Sequence, residues 1–385
     1  MLLNARRLKR SSALCKILLF LYVGSSVVFY SANALESQAL APAFSRLSPA
    51  SQNKIRKALH SMLEGAPYTI LKITPYSQKP DEVYRLQLKG HAHDYVVRLT
   101  HRTEYAKQRT AERSQMASDS GVGPQLFYAS PHGSIIITAW VEGKNCPKMT
   151  PPTLTAMVKT LKHFHQTYAT TQSFPDAYTI ANRCDNRIKE IKSFFTDKAT
   201  HVLSQVEEAL KEMNQALEPH DHHIPIHGDI NGVNTILTNQ GNIKLIDWGD
   251  SVTSDPYDDL GALAFYAALS VSEEENLLLT YLDRPPTAKE KAKLYLKRLQ
   301  SHLHYILWIF LSQRNLSNPK SYALPQGPFK VGSLSQWLRE NACKTHHIKQ
   351  ASDATKVLMK GLAEFQDLIT GPRYKKALRA LTHSS

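Results

Sequence analysis

Apolar residues at Ile55, Leu59, Met62 and Leu63 recur at helical spacing, which predicts an amphipathic helix over residues 51–63. The period then shortens to two. Residues 68–73, 83–88 and 95–99 are strand-like and predict three strands. A helix is expected over 104–118, ending before Gly121-Val122-Gly123-Pro124, and two more strands over 125–129 and 134–140. After Gly143 the pattern becomes mainly helical. Residues 301–313 carry an aromatic stripe at helical spacing, and 356–381 predict a closing helix with Val357, Leu358, Leu362, Phe365, Leu368 and Ile369 on its apolar side. A small sheet with one helix, then a helical region, makes the fold class α+β with two lobes, residues 35–143 and 144–385.

One short segment breaks the helical run and carries the chemistry. Residues 224–226 form an apolar strand leading into His227-Gly228-Asp229-Ile230-Asn231-Gly232-Val233-Asn234. Residues 235–238 alternate like a strand, Asn239-Gln240-Gly241-Asn242 is turn chemistry, and 243–246 return as a second strand ending at Asp247. The hairpin brings Asn234 and Asp247 to one end. Phosphoryl transfer needs a carboxylate to take the proton of an attacking hydroxyl, and oxygen ligands that hold Mg²⁺ against nucleotide phosphates. Asp229 suits the first role, and Asn234 and Asp247 suit the second. The competing reading is a surface hairpin whose Asp and Asn side chains only initiate turns.

Composition narrows this little. The 385 residues are 42% hydrophobic and 21% charged, ordinary for a globular protein, but the formal net charge is +14. That excess suits a polyanionic cosubstrate or an anionic surface, and no arginine-rich run or aromatic–basic interleaving points to nucleic acid. Five of the charges, Arg6, Arg7, Lys9, Arg10 and Lys16, precede an apolar stretch over 17–30 and a small-residue site at Ser31-Ala32-Asn33-Ala34. Residues 1–34 are therefore expected to act as a signal peptide or membrane anchor, giving an exported or membrane-tethered protein, whereas use of ATP favours a compartment that contains it. Three cysteines beyond the leader, Cys146, Cys184 and Cys343, make no self-contained disulfide framework. His220, His222, His223 and His227 crowd together, but Pro225 and the following strand break the helical register a zinc site would use.

The run HGDINGVN, then IDWGD, then Asp259-Leu260-Gly261 resembles the aminoglycoside phosphotransferase and choline kinase superfamily, over most of residues 50–315. The resemblance implies a protein-kinase-like fold and transfer of phosphate from ATP, with Mg²⁺, to the hydroxyl of a small molecule. It implies Asp229 as catalytic base, Asn234 and Asp247 as metal ligands, and Asp259 as a brace for the catalytic loop. Arg98 in VVRL matches the basic residue that touches nucleotide phosphates, and Glu112 its ion-pair partner on the next helix. Ala139 and Val141 would offer hinge backbone groups to adenine.

For the acceptor, Tyr305 and Trp308 match aromatic walls of the choline kinase helix, and Asp250 adds a carboxylate beside the metal aspartate. Together they imply an amino alcohol or other cationic acceptor. The sequence departs from the family in one respect: the segment ITPYSQKPDEVYRL, 73–86, lacks the glycine that usually lets backbone N–H groups approach the phosphates. A nucleotide-binding pseudokinase scaffold, or a kinase acting on protein or lipid, are the alternatives.

Overall fold

The computed structural model describes residues 41–77, 81–145, 149–171, 179–193, 197–312 and 351–382. The leader 1–34, Cys146, Cys343, Gln78-Lys79-Pro80 of the glycine-free loop and the segment 313–350 lie outside them. No helix among the described residues is long and apolar enough to cross a membrane.

Two helices, α1 (Ala41–Ser45) and α2 (Pro49–Met62), precede the sheet. Ser48 caps α2 by accepting the Ser51 N–H at 3.0 Å, with Pro49 at the first turn, so the helix starts two residues before the predicted position. Strands β1 (Ile70–Ser77), β2 (Glu82–Leu88), β3 (Tyr95–Leu99), β4 (Leu126–Ala129) and β5 (Ile135–Ala139) form an antiparallel sheet in the order β1-β2-β3-β5-β4, with α3 (Glu104–Asp119) inserted after β3. In β3 the two-residue period sends Tyr95, Val97 and Leu99 into a core with Ile55, Leu59, Leu86 and Ile137. Arg98 therefore points to the opposite face.

Strand β6 (Gly143–Asn145) leaves this sheet to pair with the hairpin of β8 (Thr235–Thr238) and β9 (Ile243–Leu245). Gly143 is required there, since a Cβ would fall 2.4 Å from the Leu237 carbonyl. Three residues without apolar alternation gave no strand signal, so β6 was not foreseen. Strand β7 (Ile224–Ile226) pairs with β10 (Val252–Ser254).

Around these short strands lie α4 (Pro151–Thr167), α5 (Ile180–Lys192), α6 (Asp197–Leu217), α7 (Pro256–Tyr266), α8 (Val271–Leu282), α9 (Ala288–Ser312), α10 (Ala351–Thr370) and α11 (Pro372–Thr382). The predicted closing helix is thus two helices, broken at Gly371-Pro372, because proline cannot continue α10. One core, built on Met157, Leu161, Phe164, Leu245, Trp248, Leu260 and Leu263, fixes the hairpin against α4 and α7. A second, with Ile188, Leu210, Leu303, Leu307, Leu362 and Phe365, joins α5, α6, α9 and α10. A small antiparallel sheet region on a larger helical one is a two-lobed α+β fold.

Candidate active site

The loop after β7 is held from beneath by one carboxylate. Asp259, fully buried in α7, accepts the backbone N–H groups of His227 and Gly228 at 2.8 Å each and faces His165 Nε2 at 3.1 Å. Burial works against its charge, but the His165 contact and these N–H groups outweigh it and hold the carboxyl below its ordinary range. Gly228 has φ 75°, and a Cβ there would lie 2.5 Å from the Asp250 carbonyl, so only glycine lets the loop turn here. His227 is sealed in the core, its Nε2 3.0 Å from the Ile246 carbonyl and its ring 4.6 Å from Trp248. These contacts account for the imidazole inside the fold.

The turn delivers Asp229. Asn231 Nδ2 donates to its Oδ1 at 3.0 Å, and Asn234 Nδ2 donates to its Oδ2 at 2.8 Å. Since the Asn234 amide nitrogen is spent in this way, its Oδ1 is turned elsewhere, buried and, among the described residues, without a hydrogen-bond partner. Asp247 adopts a left-handed conformation, φ 63°, at the end of β9. Its Oδ1 meets Arg98, while its Oδ2 is likewise buried and without a partner. The backbone bond Ile246 N to Asn234 O, 3.0 Å, ties the two residues to one end of the hairpin. Buried acceptors are rarely left without donors. Two such oxygens, one amide and one carboxylate, form an all-oxygen set that fits a small divalent cation. Burial, then the charges of Asp250 and Asp247, push Asp229 up to about 7.

Arg98 lies between two aspartates. Its Nη1 donates to Asp247 Oδ1 at 2.7 Å, and its Nη2 and Nε donate to Asp81 Oδ2 at 2.7 and 3.0 Å. Burial opposes its charge, but Asp247 and Asp81 raise its pKa above the ordinary arginine value. Glu112 does not take the role the sequence implied. Its side chain is 63% exposed and faces Arg113 at 3.4 Å, while Arg98 is 13% exposed and held by Asp81 instead. Helix α3 turns Arg113 inward, to Thr253 Oγ1 at 3.0 Å, and so turns Glu112 out.

At the end of β5, the Ala139 N–H is taken by the Gln125 carbonyl at 2.8 Å, which leaves Ala139 only its carbonyl to offer. Trp140, between the two expected hinge residues, stacks under the Arg85 guanidinium at 4.1 Å and near Tyr76 at 5.3 Å. Val141 follows it with its backbone in no hydrogen bond among the described residues.

On the other side of Asp229, Asp250 is flanked by cations: Arg102 Nη1 at 3.4 Å and Arg183 Nη1 at 3.9 Å. Tyr305 donates its hydroxyl to the Ile230 carbonyl at 3.2 Å and stacks on Phe265 at 5.4 Å. Trp308 is half-buried and packs on the helical core. Tyr305 thus borders the loop after β7, while its ring and that of Trp308 are engaged in packing. Asp81, Asn231, Arg102, Arg183 and Arg187 are not among the site residues expected from the sequence. The one available signal was Arg183 and Arg187 at a spacing of four, one face of a predicted helix.

The fold and loop define a kinase-like phosphotransferase architecture. The chain belongs to the phosphotransferase enzyme family, whose model matches residues 72–295, more than half of its length. Among solved structures it is similar to a choline/ethanolamine kinase family protein from Mesorhizobium loti, with TM-score 0.59 and 18% identity over 86% of this chain and 98% of that one. It is also similar to choline kinase LicA from Streptococcus pneumoniae, with TM-score 0.54 and 16% identity over 82% and 99% of the two chains. An ethanolamine kinase from Plasmodium vivax gives TM-score 0.52 and 12% identity over 86% of each chain. At such identities these likenesses speak for the fold. No relative is found by sequence among the curated proteins.

Proposed function

We propose that this chain transfers the γ-phosphate of ATP to a hydroxyl of a small molecule. The observation that carries the reading is the pair of buried, partnerless oxygens, Asn234 Oδ1 and Asp247 Oδ2, beside an Asp229 whose carboxylate is oriented by two asparagines. Asn234 and Asp247 would hold Mg²⁺, which when bound neutralises phosphate charge and orients the γ-phosphate. Arg98 would exchange an aspartate for the nucleotide phosphates, and the Ala139 carbonyl and Val141 N–H would address adenine. Asp229 accepts the proton of the acceptor hydroxyl as its oxygen bonds to phosphorus. The bond from the γ-phosphorus to the β,γ-bridging oxygen breaks, and ADP leaves with that electron pair. Positioning and electrostatics supply most of the acceleration.

The proposed acceptor is an amino alcohol, whose amine Asp250, close enough for its charge to act on Asp229, would meet. This rests on the sequence resemblance; the family match supports the phosphotransferase class. The test is mass-spectrometric detection of phosphorylated product from Mg-ATP and a panel of amino alcohols, aminoglycosides and sugars. Asp229→Asn should lose turnover by at least roughly a hundredfold, the usual scale for a general base, while still binding nucleotide. Nucleotide binding by the parent chain with no transfer to any acceptor would instead favour a scaffold.

A further inference from the structure

Helix α5 places Arg183 and Arg187 four residues apart, on one face and about 6 Å from each other. Arg183 is committed to the catalytic loop: its Nη2 donates to the Asp250 carbonyl at 2.9 Å and its Nη1 to the Gly228 carbonyl at 3.5 Å. Arg187 is not so committed. Its Nη1 faces the ring of His304 at 3.1 Å and donates to the His304 carbonyl at 3.3 Å. The ring is a neutral partner, for burial and then the nearby Arg187 and Arg183 charges hold His304 well below its ordinary pKa. Among the described residues no carboxylate lies within ion-pair distance of Arg187, its Nε and Nη2 make no hydrogen bond, and the residue is half-buried.

That position is one helical turn from Arg183, which bonds the carbonyls on either side of the Asp229 loop. His304 adjoins Tyr305, whose hydroxyl donates to the carbonyl of Ile230, the residue after Asp229. The charges of Asp250 and Asp229 act on Arg187 through space. Burial pulls its pKa down to about 10, the mark of a cation whose charge the protein itself leaves under-compensated. An arginine in such a place presents a planar fork suited to carboxylate or phosphate oxygens.

We propose that Arg187 binds an acidic group, carboxylate or phosphate, carried by the acceptor whose hydroxyl reaches Asp229. The proposal rests on the phosphotransferase reading and sharpens its acceptor: the hydroxyl compound is an acid, and any amine it bears is accompanied by an anion. Arg102 and Arg183 already flank Asp250, so the acceptor side of the loop carries more positive than negative side chains, which suits such a molecule.

The experiment compares acceptors that differ by the acid alone. The full chain with Mg-ATP is given ethanolamine against serine, and glycerol against glycerate and glycerol 3-phosphate, with ADP release as readout. The acid-bearing member should be preferred, and glycerate against glycerol phosphate identifies which acid fits. Arg187→Gln should raise its KM at least roughly tenfold, about 1.4 kcal/mol, with the KM for ATP unchanged, and Arg187→Lys should recover part of the loss. Turnover that favours the uncharged or cationic member, indifferent to Arg187→Gln, would overturn the proposal while leaving the phosphotransferase reading intact. Thermal unfolding in saturating Mg-ADP, with added serine, glycerate or glycerol 3-phosphate, separates the two further. Stabilisation lost in Arg187→Gln, with no turnover of any acceptor, would sink phosphotransfer and keep the anion site. No difference between the two chains in either assay would remove the anion site.

Discussion

Arg98 Nη1 and Asp247 Oδ1 lie 2.7 Å apart, joining the sheet lobe to the end of the β8–β9 hairpin across 149 positions of sequence. The same guanidinium is held from behind by Asp81. On the proposed function, metal and phosphate would therefore compete with an internal ion pair. Removing the rear partner should strengthen that competition. Asp81→Ala should raise the Mg²⁺ concentration needed for half-maximal activity, whereas Arg98→Ala should lower it and raise the KM for ATP roughly tenfold, the loss of a charge-assisted contact. Steady-state titrations of metal and ATP in both variants check this.

Metal should also act on stability. A ligand that binds only the folded chain adds about 2.7 kcal/mol at a hundred times its dissociation constant. Mg²⁺ with ADP should raise the unfolding temperature of the parent, and Asp247→Asn or Asn234→Ala should abolish most of that increment. An increment unchanged in both variants would remove these residues from the metal site.

The raised Asp229 pKa sets the sign of a pH profile. A base must be ionised, so kcat/KM should fall as pH drops through about 7, the value in the ligand-free chain. Mg²⁺ held by Asp247 would offset its charge, so the acid limb of kcat should lie lower than that of kcat/KM. Asp250→Asn removes the larger of the two charge effects and should move the kcat/KM limb down. Profiles of both constants, in parent and variant, supply the comparison.

Asp259 accepts two backbone N–H groups, and an amide oxygen cannot serve both in the same way. Asp259→Asn should cost about 1–3 kcal/mol, the penalty for a buried unpaired polar group, measured by urea unfolding. The folded carboxyl sits below its ordinary value of 3.8. Its contribution is thus fully present above that value and is lost as pH falls through the folded pKa. Acid unfolding of the parent should be steeper than that of the variant.

Much of this was legible in the sequence because it is local. The period of two in β3 fixed that Arg98 opposes Tyr95 and Val97, and the loop from His227 to Asn234 and the following hairpin were set by spacing and turn residues. What depends on rotation or on partners was not. A basic strand followed by an acidic helix gave the order of Arg98 and Glu112, but the roll of α3 decided that Arg113 faces inward. Asp81 reaches Arg98 only because β2 folds onto β3 with Val83 opposite Arg98. Three-residue spacing put Tyr305 and Trp308 on one side of α9, yet Phe265, supplied by α7, determined what the tyrosine ring stacks on. Arg187 acquires its setting from the packing of α5 against α9, which no stretch of either helix encodes alone.

The last described helix has a reach beyond its own packing. His220 Nε2 meets the Leu381 carbonyl at 3.0 Å, and Lys293 bonds the His220 carbonyl while holding Asp255, which in turn accepts the His222 N–H at 2.7 Å. The approach to β7 is thus fastened at its rear by α11, 161 positions away. Fusion of a bulky tag to that helix, or its removal, would act as a remote lesion. Catalytic geometry would slacken with every active-site side chain still in place.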